Sequence, residues 1–176
     1  SFFFALWSKE TALMILPVLF YLELYFEEKS FWSSSKNLLF LVVPTVAYSL
    51  FRYIALGKYF LGDATTTIVE NQLKFTGFSE RIFTALKVLY MYFERLVWPI
   101  HLSADYSYSR ISSVSNIFKS YEALLGLLLL ALLVWLAVRF RKTGYGLGAI
   151  LFLLPYLMIS NLIMPVGTIM GERLMY

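Results

Sequence analysis

Helix-length apolar runs recur along this chain of 176 residues, and short charged stretches separate them. The clearest runs lie at 38–56, 121–138 and 145–164. Each is close to the ~20 apolar residues that an α-helix needs to cross the ~30 Å hydrocarbon core of a bilayer. Hydrophobic residues make up 60% of the chain and charged residues only 15%. The pattern predicts an all-α fold, a polytopic transmembrane helical bundle, and excludes a soluble cytosolic enzyme.

Four membrane spans are predicted within one membrane domain. They lie at about 11–26, 37–56, 121–138 and 145–164. The long mixed segment 57–120 contains a further helical pattern at 80–98, with polar residues along one face and apolar residues over the rest. Such a helix could lie flat in the membrane interface with its apolar side toward the hydrocarbon. It could instead cross the membrane with its polar stripe facing a bundle or cavity.

The distribution of charge favours the interfacial position for the helix at 80–98. If this helix does not cross, the loops 27–36 and 139–142 lie on the same side and together hold five Lys and Arg residues. By the positive-inside rule that side is cytoplasmic. Lys9-Glu10, the segment 57–120 and Glu172-Arg173 then all lie on the opposite, outer side. If the helix does cross, the two basic loops are separated.

The net charge and the residue types of the chain exclude several kinds of site. The net charge of +4 is spread out, without the clustered basic face that nucleic-acid binding requires. The sequence has no Cys, which excludes disulfides, thiolate metal sites and Cys nucleophiles. Gly144, Gly146 and Gly148 alternate within an apolar span, a pattern that predicts close helix packing. No cofactor is evident, and a divalent-metal requirement is left open.

The two ends of the sequence indicate an excerpt of a longer protein. Ser1 lies within an apolar run, and Tyr176 follows a charged pair directly, with no terminal tail. We therefore expect the membrane domain to be truncated at both ends. Any site built by earlier helices would then lie outside this sequence.

Three polar islands interrupt the apolar sequence at 8–10, 102–108 and 171–173, which we call the first, middle and last islands. Lys9 and Glu10 could form an ion pair at a helix end whose charges reach the headgroups. Lys9 could instead be a cation held at the membrane surface to bind a lipid phosphate. Arg173 has the same two interpretations, and its planar guanidinium suits phosphate because it donates two parallel hydrogen bonds. Glu172 would orient that guanidinium.

The middle island also has two interpretations. Asp and Ser favour turns, and Tyr favours the membrane interface, so a structural turn is the simpler one. Alternatively, the Asp105 carboxylate, beside the hydroxyls of Tyr106 and Ser107, could position a polar acceptor or a sugar. Four other charged residues are interpreted as anchors at helix ends or polar faces: Glu23, Arg52, Lys87 and Arg95.

Read in order, the islands resemble motifs of the TMTC-type protein O-mannosyltransferases and their prokaryotic relatives. The first island is similar to that family's SKE helix start, and Leu16-Pro17 follows it here. Trp98-Pro99, followed by LSADYSY at 102–108, resembles the middle motif of the family. The final segment, GERLMY at 171–176, resembles its last signature. The resemblance covers essentially the whole chain, and the first and middle motifs are closer to the prokaryotic members.

The resemblance implies a GT-C-type membrane glycosyltransferase. Such enzymes move a sugar, mannose in the animal members, from a polyprenyl-phosphate carrier to a protein Ser/Thr or other hydroxyl at the outer or lumenal face. The implied partners are the lipid-linked sugar, a protein or glycan acceptor and the lipid bilayer, with no nucleic acid. The family's catalytic base is expected upstream of Ser1. Members usually carry tetratricopeptide repeats after the membrane domain, and this sequence shows none.

The resemblance gives the polar residues expected roles and the protein an expected location. The candidates for binding the donor phosphate are Lys9, Glu10, Glu172 and Arg173. The candidates for the acceptor or sugar loop are Asp105, Tyr106 and Ser107. The expected location is the inner membrane of a prokaryotic cell, with the endoplasmic reticulum membrane as the alternative.

Two other classes of protein fit the apolar pattern. A transporter segment would also keep charges within a membrane bundle, but transporters tend to show two related halves with broken helices. No half of this chain resembles the other. A non-catalytic membrane anchor for tetratricopeptide repeats is the second alternative. Acidic residues in an upstream outer loop would favour the enzyme over the anchor.

Overall fold

The computed structural model describes residues 2–57, 71–100, 103, 106, 110–162 and 168–171. Within these residues the secondary structure consists of helices and includes no strand, so the predicted all-α class is confirmed there. The six α-helices of this part are α1 (Phe2–Ser8), α2 (Ile15–Tyr25), α3 (Phe31–Leu56), α4 (Phe78–Val97), α5 (Tyr121–Arg139) and α6 (Gly144–Ile159). Short 3₁₀ turns lie at Glu10–Met14, Gln72–Phe75 and Ile117–Lys119.

The chain divides into two compact units. The first comprises Ser1–Leu61 and Trp135–Pro155, and the second comprises Gly62–Val134 and Tyr156–Tyr176. Helices α5 and α6 each run from one unit into the other. The packing of each unit is described separately below.

Two helices of the described residues, α3 and α5, are long and apolar enough to cross a membrane. In their most apolar stretches only 11% of the α3 residues and 28% of the α5 residues are buried inside the protein. Large apolar side chains of α3 such as Phe40, Val43 and Ile54 are more than two-thirds exposed. An exposed apolar surface of this extent is unusual for a helix in water, whereas a lipid environment would cover it.

Helix α3 begins six residues before the predicted span 37–56, so residues 31–36 are helical and their assignment to the loop 27–36 was wrong. The span itself stays a prediction. The polar residues Ser33, Ser34, Ser35 and Lys36 lie within its first turns and not in a loop. The Ser35 hydroxyl donates to the Phe31 carbonyl at 2.8 Å. The Ser35 hydroxyl thereby has its hydrogen-bond partner on the preceding turn, so this polar side chain is accommodated within the helix.

The other two predicted spans form shorter helices. The span at 11–26 consists of the 3₁₀ turn Glu10–Met14 followed by α2. The span at 145–164 becomes α6, which ends at Ile159, so its predicted end was wrong within the described residues. Ser160 and Asn161 are buried bends, and Asn161 has a left-handed φ of 59°, which terminates the helix. The 16 residues of α6 rise only ~24 Å.

In the first unit, α2 contacts the turn between α5 and α6. The buried Tyr21 hydroxyl donates to the Arg141 carbonyl at 2.8 Å, and the Arg141 guanidinium lies 5.4 Å from the Tyr25 ring centre. Lys142 in the same turn forms an ion pair with Glu28, and its hydrogen bond keeps the pKa of the Glu28 carboxyl below its usual value. The two basic loops of the sequence therefore lie in contact.

The alternating glycines at the start of α6 do not all serve helix packing. At Gly146 an added Cβ would overlap the Phe140 carbonyl and crowd the Tyr21 hydroxyl, as predicted for a close contact. Gly144 and Gly148 face open space within 4 Å, so the prediction was wrong for them. The tightest approach involves Gly126 of α5, where a Cβ would overlap the Leu86 carbonyl of α4.

Helix α4 is the centre of the second unit and confirms the helix predicted at 80–98. It ends at Val97 because Pro99 follows, and the residue before a proline is driven out of the helical region; Trp98 has φ −134° and ψ 77°. Along its middle α4 is enclosed by protein: six of its residues are buried, namely Thr84, Ala85, Leu86, Val88, Leu89 and Tyr92. Its interfacial position in the membrane stays a prediction.

Candidate functional site

The polar stripe that the sequence places along α4 is covered by the segment before α5. Thr84 accepts a hydrogen bond from the Val114 backbone N–H at 2.9 Å, and Ser113 donates to Glu80. The Lys87 ammonium pairs with Glu122 at 2.8 Å. The first half of the stripe therefore serves to dock another segment of the chain. The sequence suggests that Lys87 is an anchor. In the structure it is instead one partner of a partly buried ion pair.

The second half of α4 contacts Gly171, the first residue of the last polar island. The Tyr92 side chain is 4% exposed, and its hydroxyl makes two hydrogen bonds with Gly171. It donates to the Gly171 carbonyl at 3.1 Å and accepts from the Gly171 N–H at 3.0 Å. Gly171 directly precedes Glu172 and Arg173 in the sequence. Tyr92 therefore fixes the last described residue before that pair.

One turn further along α4, Arg95 holds the middle polar island. Its Nε donates to the Tyr106 hydroxyl at 3.2 Å, and its Nη1 binds the Glu94 carboxylate at 2.6 Å. Tyr106 itself is 4% exposed. Burial alone would lower the pKa of Arg95, but the contacts with Tyr106 and Glu94 outweigh it and the pKa is raised. Arg95 therefore stays a cation, while 19% of its side chain remains exposed.

A second arginine, Arg110, contacts the ring of Tyr106. The Arg110 guanidinium carbon is 5.6 Å from the centre of the Tyr106 ring, within cation–π range. Arg110 also donates to the Ser103 hydroxyl at 2.9 Å, and it is exposed. Tyr106 is thus held at its hydroxyl by one arginine and covered at its ring by another.

A buried amide pair supports the segment that carries Gly171. Asn71 donates to the Asn161 side-chain oxygen at 2.7 Å. The Asn161 amide in turn donates to the carbonyls of Thr168 at 3.2 Å and Ile169 at 3.3 Å. Both asparagines are at most 1% exposed. Because both asparagines are buried, the loss of either would leave buried polar atoms without partners.

These contacts define what we call the α4 cluster: Tyr92, Arg95, Tyr106, Arg110 and Gly171. It lies in the second unit, beside an apolar end of α4 at which Leu96, Val97 and Trp98 are each more than half exposed. Cations next to exposed apolar surface suit a ligand with a phosphate at one end and a hydrocarbon chain at the other. Arginine is well matched to phosphate because its planar fork can donate two hydrogen bonds at once.

Of the site residues predicted from the sequence, Tyr106 and Lys9 are among the residues that the structure describes. Tyr106 lies in the α4 cluster. Lys9 is an exposed residue with extended backbone at the break between α1 and the turn Glu10–Met14, in the first unit. The remaining candidates lie outside the described residues: the side chain of Glu10, and Asp105, Ser107, Glu172 and Arg173.

Sequence reasoning missed several residues of this site. Arg95 was interpreted as an anchor, and Tyr92, Arg110, Asn71 and Asn161 were not selected at all. Tyr92 and Arg95 are three residues apart on α4 and hence share one face, which the sequence does show. Asn161 follows the end of an apolar helix, where asparagine is a common left-handed terminator. No pattern in the sequence indicates that Asn71 would pair with it 90 residues away.

Among the described residues no group of three or more His, Asp or Glu side chains lies close enough together to hold a metal ion. Comparison with known proteins gave no match: no family model fits the chain, and no curated protein or solved structure is significantly similar to it.

Proposed function

We propose that this chain is part of a multi-pass membrane glycosyltransferase of the GT-C type, related to the TMTC-type protein O-mannosyltransferases. It would move a sugar, mannose by resemblance, from a polyprenyl-phosphate carrier to a protein Ser/Thr or another hydroxyl. The proposed site faces the outer or lumenal side of the membrane. The proposed location is the inner membrane of a prokaryotic cell, with the endoplasmic reticulum as the alternative.

One observation carries this proposal: two of the three motifs that resemble the family meet on one face of α4. Arg95 binds Tyr106 of the middle motif, and Tyr92, one turn away, binds Gly171 of the last motif. Segments 65 residues apart in sequence are thereby brought to the same helix (171 − 106 = 65). Such a meeting is what a shared active site requires, and neither a simple anchor nor a run of independent spans requires it.

The chemistry gives each part of the site a distinct role. The acceptor oxygen forms a bond to C1 of the sugar while the bond from C1 to the carrier phosphate oxygen breaks. Polyprenyl phosphate leaves with the electron pair, and the proton of the acceptor hydroxyl passes to a general base. The resemblance implies that this base lies upstream of Ser1. Cations near the departing phosphate stabilise the negative charge that develops there.

We assign that electrostatic role to Arg173 and Lys9, with Glu172 and Glu10 as their orienting carboxylates. Arg95 and Arg110 are positioning residues, because they hold Tyr106 and through it the loop that contains Asp105 and Ser107. In this proposal the exposed apolar end of α4 contacts the first isoprene units of the carrier.

The test is sugar transfer by the full-length protein in lipid nanodiscs. The substrates are polyprenyl-phosphate mannose and a Ser/Thr-rich peptide, and mass spectrometry detects the addition of one hexose. We expect Arg173→Ala to lower turnover by about 10²–10³-fold, the scale for the loss of one electrostatic stabiliser. Lys36→Ala is the matched control, because Lys36 is an exposed cation in the first turns of α3, far in sequence from every island; its turnover should be unchanged.

Two results would contradict the proposal. The first is a folded wild-type protein that transfers no sugar from any polyprenyl-phosphate donor, which would favour the transporter or anchor alternatives. The second is an Arg173→Ala variant as active as Lys36→Ala, which would remove Arg173 from the site.

A further inference from the structure

A second polar site lies at the opposite half of α4, where the chain enters α5. It is a cavity of about 240 Å³ between α4 and the segment 112–122. This volume is below the ~300–1,000 Å³ typical of pockets for drug-sized ligands, so it suits a headgroup rather than a whole lipid. The lining includes four serines and an asparagine at 112, 113, 115, 116 and 120.

Two lysines give this cavity its charge. Lys87 lies at its inner side with 12% of its side chain exposed, paired with Glu122 at 2.8 Å and bonded to the Ser112 hydroxyl at 3.2 Å. Lys119 lies at its exposed side, and no carboxylate within the described part of the chain pairs with it. Glu122 offsets Lys87, so Lys119 leaves the lining with one net positive charge.

The cavity also lies at the start of a helix that can cross a membrane. Helix α5 begins at Tyr121, which is itself part of the lining. The positive end of a helix dipole is at its N-terminus, and it adds to the attraction of an anion there. Phe118 and Tyr121 beside the cavity are 82% and 70% exposed, as expected of aromatic side chains at the membrane interface. A cavity at the membrane interface is within direct reach of lipid headgroups, so the bilayer itself would supply the ligand.

We propose that this cavity binds the phosphate headgroup of an anionic phospholipid. Lys119 would contact the phosphate, the hydroxyls of Ser112, Ser115 and Ser120 would donate to its oxygens, and Phe118 and Tyr121 would lie along the glycerol and the upper acyl chains. Basic pockets next to transmembrane helices commonly bind anionic headgroups in this way. The proposal does not depend on sugar transfer, because the cavity lies on the N-terminal half of α4, whereas the α4 cluster lies on the C-terminal half.

The experiment measures lipid retention by native mass spectrometry of the full chain released from detergent. The chain is titrated with phosphatidylglycerol, and in parallel with phosphatidylcholine of the same acyl length. We expect preferential binding of phosphatidylglycerol, and Lys119→Glu should weaken it about tenfold or more, the scale of one charge-assisted hydrogen bond. Lys36→Glu is the matched control, since it makes the same change in net charge at another exposed lysine, and it should retain wild-type affinity.

Three outcomes would overturn the proposal. Equal weakening of phosphatidylglycerol binding by the two variants would show that this binding depends only on the net charge of the protein. Unchanged binding by Lys119→Glu would place the lipid elsewhere. Displacement of the lipid by glycerol 3-phosphate at equal concentration would show a site for a soluble phosphate and not for a lipid. Lys119 is exposed, so we expect Lys119→Glu to fold, and thermal unfolding of both variants verifies this.

Discussion

At the scale of single residues, the hydroxyl of Tyr92 joins the last polar island to α4. It satisfies both the N–H and the carbonyl of Gly171, and all three groups are buried. Buried backbone groups almost always have hydrogen-bond partners, and here one side-chain oxygen provides for both. The same ring packs edge-to-face against Tyr156, with ring centres 6.3 Å apart. Tyr92 therefore has a polar role and a packing role that substitution can separate.

Replacing Tyr92 by Phe should keep the packing and remove both hydrogen bonds. Each buried group left without a partner costs ~1–3 kcal/mol, so for the two groups we expect a loss of about 2–6 kcal/mol in unfolding free energy. Reversible unfolding in detergent micelles measures it. Tyr90→Phe is the matched control on the same helix, because no partner for the Tyr90 hydroxyl occurs among the described residues, and its stability should change by less than ~0.5 kcal/mol. Equal unfolding midpoints for the two variants would contradict the role of Tyr92.

The residue scale is also where sequence reasoning was least successful. The composition of the islands indicated which motifs matter, but not that Arg95 would reach Tyr106 or that Asn71 would reach Asn161. These partners are separated by 11 and 90 residues, and their contacts depend on how the segments pack. A single arginine near a helix end fits an interface anchor as well as it fits a site residue.

At the scale of whole helices, the contact between α4 and α5 depends on Gly126. The α5 backbone approaches the Leu86 carbonyl so closely that no Cβ fits between them. Small residues permit such close approach of helices, and they are enriched at helix interfaces in membrane proteins. Ala123, one turn earlier on α5, is fully buried and extends the same small-residue surface.

Replacing Gly126 by Ala should separate α4 from α5. The clash is with helix backbone, which cannot rotate away as a side chain can, so we expect at least the ~1–3 kcal/mol typical of overpacking. Gly148→Ala is the matched control, because Gly148 is a helical glycine in an apolar helix with nothing within 4 Å. Alanine there should be neutral or stabilising by up to ~1 kcal/mol, since it lowers the entropy cost of helix formation.

Thermal unfolding of both variants in the same detergent compares them directly. If Gly126→Ala were as stable as Gly148→Ala, this would contradict the close contact between α4 and α5 at Gly126.

The sequence predicted the order and helical type of α2 to α6 well, because long apolar periodicity is a strong local signal, but it did not predict α1. It predicted their ends less well. The serine run at 33–35 looked like loop and is helix, and α6 stops at Ile159 within an apolar run. Both errors arise where local side-chain hydrogen bonds or a single left-handed residue decide the boundary. Average hydrophobicity does not report such effects.

At the scale of the whole molecule, the contact between the two basic loops bears on membrane topology. Glu28 precedes α3 and Lys142 follows α5, and the two form an ion pair. Because they are in contact, Glu28 and Lys142 must lie on the same side of the membrane. If α3 and α5 each cross the membrane once, this is possible only if α4 does not cross. The contact therefore supports the interfacial position that the charge distribution predicts for α4. The outer-face site of the proposed glycosyltransferase requires that position.

This topology can be measured directly by cysteine accessibility, because these 176 residues contain no Cys that would be labelled in the background. Single cysteines replace Lys9, Ser103 and Arg173 for the three islands, and Lys36 and Lys142 for the two basic loops. A membrane-impermeant maleimide is then applied to intact cells and, in parallel, to permeabilised cells. The account predicts that the three island cysteines are labelled in intact cells and that the two loop cysteines are labelled only after permeabilisation. Labelling of Ser103→Cys on the same side as Lys142→Cys would contradict it, because the polar islands would then not share one face of the membrane.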